Sequence, residues 1–210
     1  MTGAASPPKT LLIACGALAR EMLALIEANR WSHLTLECLP AKLHNRPEKI
    51  PDAVRDKIAG ARGRFERIFV AYADCGTGGL LDKVLAEEGV ERIGGPHCYS
   101  FYAGADAFEA LHEEELGSFY LTDYLARHFE TLIIKGMGLD RFPELMEAYF
   151  GNYRRLVFLA QTEDAELVEK AKAAAARLGL DYEYRLTGYG ELTDFMTRAA
   201  GAQKGTKGNG

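Results

Sequence analysis

Apolar residues along the chain recur in two rhythms that take turns. "KTLLIAC" at 9–15, "HLTLECL" at 33–39, "FERIFVAYA" at 65–73, "VERI" at 90–93, "RRLVFLAQ" at 154–161 and "LDYEYRLT" at 180–187 are short runs, continuous or every-other. They read as strands. Between them the spacing lengthens to three and four. In "GALAREMLALIEANR" at 16–30, Leu18, Met22, Leu25 and Ile26 fall on one helical face. "PDAVRDKIAGAR" at 51–62 opens with proline at a position a helix tolerates, and "GLLDKVLAEEG" at 79–89 follows. Later helices are "EDAELVEKAKAAAARLG" at 163–179 and "YGELTDFMTRAA" at 189–200.

Residues 98–115 read as mostly helical, and Thr122 is placed to cap a helix after a short extended start at 118–121. "RFPELMEAYFGNY" at 141–153 is another helix, while "PAKLHNRPEKI" at 40–50 reads as loop. Strand–helix alternation of this kind predicts an α/β fold: mostly parallel sheet flanked by helices, Rossmann-like, with room for two similar lobes. The expected division is a flexible N-terminus at 1–9, an α/β lobe at 10–115, a second lobe or continuation at 116–200, and a disordered tail at 201–210.

Composition narrows the chemistry. Of 210 residues, 25 are basic and 30 acidic, giving a net charge of −5 with no basic stripe, so nucleic acid is not an expected partner. No apolar run reaches membrane-spanning length, and the first residues lack the apolar centre of a signal peptide. A cytoplasmic protein acting on a small molecule is expected. Four cysteines in a chain this long make no disulfide framework, and none forms a CxxC pair.

Three of those cysteines share a setting. Cys15 ends "LLIAC" before Gly16, Cys75 follows "FVAYAD" before "GTGG", and Cys98 follows "VERI" and "GGPH" at a helix start. In open parallel sheets ligands bind beyond the carboxyl ends of the strands. Free N–H groups at helix starts favour thiolates, so the expectation is one rim carrying Cys15, Cys75 and Cys98 as metal ligands. His97 is the candidate fourth ligand, and His44 the alternative. His44 and Asp74 are candidate acid–base groups. Gly76, Thr77, Gly78 and Gly79, with Arg46 and Tyr99, are candidates to hold a bound group. Burial as ordinary core residues is the competing reading for each cysteine, and Cys38 is read as core or supporting residue. Zinc and a [4Fe–4S] cluster both fit three thiolates, with zinc taken first. No GxGxxG, GxxxxGK[ST], GxSxG or HExxH pattern occurs.

"CGALARE", "CLPAKLHNRPEKI", "YADCGTGG", "GPHCYSFYAG", "GSFYLTDYLARHFE" and "FGNYRRLVFLAQT" together resemble domain-of-unknown-function family 1638, over residues 10–198. The resemblance implies bacterial and archaeal proteins often encoded beside corrinoid-dependent methyltransferases. It therefore implies an accessory or catalytic role in one-carbon transfer, with a corrinoid protein or methyltransferase as partner. The corrinoid-carrier pattern DxHxxG is absent. The rival expectation is a non-enzymatic module binding a small anion or cofactor.

Overall fold

The computed structural model describes residues 6–201. Chain order begins β1 (Thr10–Cys15), α1 (Ala19–Ala28), β2 (Leu34–Leu39), α2 (Ile50–Ala61), β3 (Arg67–Ala71), α3 (Leu80–Glu88) and β4 (Glu91–Arg92). It continues α4 (Cys98–Ala103), α5 (Ala105–Glu114), β5 (Ser118–Thr122), α6 (Asp123–Arg127) and α7 (Leu145–Phe150). It ends β6 (Arg155–Ala160), α8 (Ala165–Leu178), β7 (Asp181–Leu186) and α9 (Glu191–Ala199). The fold is α/β, with two all-parallel sheets flanked by helices.

Two compact units divide the chain, one formed by residues up to 97 together with those from 191 on, the other by residues 98–190. The helical stretch 98–115, expected with the first lobe, thus falls in the second unit, and α9 returns to the first. Residues 1–5 and 202–210, the greater part of the expected flexible ends, lie outside the described residues.

The first unit holds the sheet β2-β1-β3-β4. Leu11, Leu12, Ile13 and Ala14 of β1 are all fully buried, as a central parallel strand covered on both faces requires. Each large side chain there contributes roughly 1.5–3 kcal/mol relative to exposure. Helix α1 turns Met22 and Leu25 inward, α2 turns Val54 and Ile58, and α9 turns Leu192, Phe195 and Met196. Cys38, read as a core or supporting residue, is exposed and so is not core. It sits on β2, the edge strand of the sheet. The stretch read as loop at 40–50 winds into two 3-10 turns, Ala41–Asn45 and Pro47–Lys49, before α2.

The second unit holds the sheet β5-β6-β7. Leu156 to Ala160 on β6 are fully buried, and the alanines of α8 (Ala171, Ala174, Ala175) pack in one cluster with Leu156, Phe158 and Ala160. Asp164 caps α8 by accepting from the N–H groups of Glu166 and Leu167, at 3.0 and 3.3 Å. Thr122 caps α6, its Oγ1 accepting from the Leu125 N–H at 3.4 Å. A fully buried carboxylate ties β5 to β6: Asp123 accepts from the Gln161 N–H at 2.9 Å and from the Thr162 hydroxyl at 2.6 Å. Helix α7 is shorter than its sequence pattern, because the chain around Pro143 runs through turns first.

Candidate functional site

Strand order decides where a ligand would sit. The chain leaves β1 toward β2 on one side and then crosses back to β3 on the other. Connections therefore part in opposite directions beyond the carboxyl ends of β1 and β3, and a crevice forms at such a switch point. The last residue of β1 is Cys15, and the segment following β3 is Tyr72–Gly79. The loops after β2 and β4 supply His44 and His97.

Cys15 is 3% exposed and begins a 3-10 turn, so its sulfur accepts from the free N–H of Ala17 at 3.4 Å. Nδ1 of His44 lies 3.7 Å from the same sulfur and 3.0 Å from the Ala41 carbonyl oxygen. A carbonyl only accepts, so Nδ1 carries the proton and Nε2 keeps the lone pair. His44 retains an exposed edge, as does His97, which lies near enough for its charge to act on His44. Lost hydration lowers the His44 pKa and keeps the ring neutral.

The β1–β3 register pairs Ala14 with Ala71, and one step further sets Tyr72 beside Cys15. Parallel neighbours in register share a face. Tyr72 is 1% exposed, its hydroxyl has no hydrogen-bond partner, and its ring stacks on His44 at 6.5 Å between centroids. Reading along the chain missed Tyr72, since "FVAYA" looks like uninterrupted core.

Cys75 adopts φ +50, a left-handed conformation unusual for a residue with a side chain. The N–H groups of Asp74 and Cys75 donate to the carbonyls of Gly95 and Pro96, at 3.1 and 2.9 Å, fixing the β3 loop to the β4 loop. Burial pushes the Cys15 thiol up to about 11 and the Cys75 thiol up to about 12. The two are close enough that each charge would disfavour the other. Helix-start N–H groups were expected to lower the thiol pKa, but desolvation outweighs the single contact at Ala17.

The glycine turn is closed on itself. Asp74 accepts from the Thr77 hydroxyl at 2.6 Å and from the N–H groups of Gly78 and Gly79 at 3.1 and 2.9 Å. Those donors, expected to grip a bound group, are already spent, and the same bonds hold the Asp74 pKa low. Gly76, at φ +83, lets the turn lie against Pro47: an added Cβ would stand 3.6 Å from its ring. Arg46 beside it is exposed.

Cys98 and Tyr99 open α4 in the second unit. Tyr99, expected to wall a flat ligand, packs against Phe108 and Tyr120 with centroids 6.3 and 5.6 Å apart. Among the described residues no group of three or more His, Cys, Asp or Glu side chains is arranged to hold a metal ion. The carboxyl ends of β1 and β3 thus gather Cys15, His44, Tyr72 and Cys75, with His97 nearby, without closing them into a finished coordination shell. No helix among the described residues is long and apolar enough to cross a membrane.

Comparison with curated proteins finds no match. The family described as "Protein of unknown function (DUF1638)" matches residues 38–196, more than half of the chain. The protein belongs to that family.

Proposed function

We propose that this is a metal-dependent protein whose site is the β1–β3 crevice, with Cys15 and Cys75 as thiolate ligands and His44 or His97 as nitrogen ligands. The observation that carries the reading is the surroundings of Cys15: a buried sulfur at the switch point, with the Ala17 N–H donating to it and Nδ1 of His44 3.7 Å away. Burial keeps both thiols protonated, so a thiolate needs a cation beside it, and a metal ion supplies one by displacing the proton. Zinc accepts mixed sulfur–nitrogen sets, whereas a [4Fe–4S] cluster is held by cysteine thiolates, and the first unit brings two thiols to these strand ends. Zinc is therefore the first assignment. A zinc–thiolate centre with an open position would polarise a thiol or a methyl acceptor, which suits the one-carbon role that the family resemblance suggests. A corrinoid protein or methyltransferase would then be the partner.

A thiol-nucleophile enzyme is less well supported. His44 faces Cys15 through a nitrogen whose proton is committed to Ala41, so it has no lone pair there to accept the thiol proton. The test is metal analysis and an absorption spectrum on protein purified without oxygen. About one zinc per chain, lost in Cys15→Ala and Cys75→Ala, supports the proposal. Brown protein containing iron and sulfide favours the [4Fe–4S] alternative. Metal-free protein that resists loading leaves the small-ligand module.

A further inference from the structure

Strand β7 ends its sheet, and among the described residues no strand pairs with its outer side. The N–H groups of Asp181 and Thr187 donate to the Arg154 and Ala160 carbonyls, at 2.9 Å each. Alternate residues thus turn their N–H and C=O groups toward β6, while Tyr182, Tyr184 and Leu186 turn theirs away from it. Such a row of open groups is a template for another strand. Side chains alternate as well. Tyr182, Tyr184 and Leu186 share one face, where Tyr184 and Leu186 are 39% and 50% exposed. Asp181, Glu183 and Arg185 share the other. Arg185 binds Glu183 of its own strand through Nε at 2.6 Å, which leaves its Nη groups for a second carboxylate.

We propose that β7 is a self-association surface: a second copy of this chain lays its own β7 antiparallel along the open edge, with Tyr184 on the two-fold axis. Backbone direction and charge select that register. An axis between residues would set open N–H groups against groups already spent on β6. Centring on Glu183 or Arg185 would oppose a charge to its own copy, and centring on Tyr182 would oppose Asp181 to Glu183. Centring on Leu186, the last residue of the strand, would leave half the edge unpaired. With Tyr184 at the centre, Glu183 faces Arg185 across the axis, Tyr182 faces Leu186, and the two Tyr184 residues face each other. The open N–H and C=O groups of Tyr182, Tyr184 and Leu186 then meet as hydrogen-bonded pairs. Apolar face meets apolar face, each Glu183 meets an arginine, and two three-stranded sheets join through a closed, self-complementary contact.

The experiment is analytical ultracentrifugation of the full chain over a range of concentrations, beside Tyr184→Lys, Tyr184→Glu and an equal mixture of the two. The parent should sediment as a dimer. Either variant alone sets like charges together on the axis and should associate about tenfold more weakly. The mixture should recover a dimer with one chain of each kind, because opposite charges then meet. Amide hydrogen exchange on the parent needs no variant to fold: the Tyr182, Tyr184 and Leu186 amides should exchange more slowly as concentration rises. A parent that stays monomeric at every concentration would overturn the proposal. So would a dimer that both variants leave unchanged, or one in which those amides gain no protection, since its interface lies elsewhere. A mixture that associates no better than either variant alone would remove Tyr184 from the axis and overturn it too.

Discussion

The Cys15 sulfur and Nδ1 of His44 stand 3.7 Å apart, although 29 positions separate them in the chain. If the pair serves a metal, the two contribute unequally: the sulfur is buried at the crevice, and the imidazole is half open to solvent. Cys15→Ala should abolish zinc binding. His44→Ala should weaken it about 10–100-fold without abolishing it. Competition against a chromophoric chelator measures both.

Cys75 holds a left-handed backbone at φ +50 that glycine would adopt freely. Cys75→Gly should therefore stabilise the metal-free fold by about 0.5–1 kcal/mol, yet remove a ligand and lower metal content. Opposite movement of melting temperature and metal stoichiometry is the expected pattern. Destabilisation would show that the side chain is needed for packing.

Thiol reactivity should follow exposure. Cys38 is exposed on the edge strand, while Cys15 is buried with its thiol pushed up to about 11. Alkylation by iodoacetamide at neutral pH, followed by peptide mass spectrometry, should modify Cys38 well before Cys15. Preferential labelling of Cys15 would revive the nucleophile reading.

Acid should release one clamp near the site. Arg92 holds the Asp82 carboxylate through Nε and Nη2, at 2.6 and 2.9 Å, and its Nη1 donates to the Ile93 carbonyl at 2.7 Å. The pair holds the Asp82 carboxyl below its ordinary value of 3.8. A lowered folded-state pKa stabilises above the ordinary value and loses that contribution as pH falls through the folded one. Because Asp82 is about half exposed, the amount is about 0.5 kcal/mol or less. Asp82→Asn should cost that much at pH 7 and progressively less as pH falls below 3.8, by urea titration across that range.

In the second unit Asp123 is the stability test. Asp123→Ala removes the acceptor of the buried Gln161 N–H and of the Thr162 hydroxyl. The loss should be roughly 2–3 kcal/mol. A lower denaturation midpoint with an unchanged slope would mark this as lost stability rather than a changed unfolded state.

The chain pattern carried most of the local structure, because periodicity and capping are local. The Thr122 cap, the α8 helix and the Cys15-to-turn junction follow from residues within a few positions of one another. Cys38 was misread because a strand's own sequence does not say whether it lies at a sheet edge. Asp74 and its glycines looked open to a ligand, but an aspartate before glycine is equally a turn-former, and the carboxylate folds back onto its own turn.

What the sequence determined by itself is the α/β alternation and the placing of cysteines at strand ends, both written in spacings of two to four residues. Only the tertiary structure decided that β3 returns to the far side of β1, making the end of β1 at Cys15 the switch point. Only the register of those strands set Tyr72 beside that sulfur. Cross-strand neighbours are chosen by how whole elements bury their apolar faces, which no single stretch of chain contains.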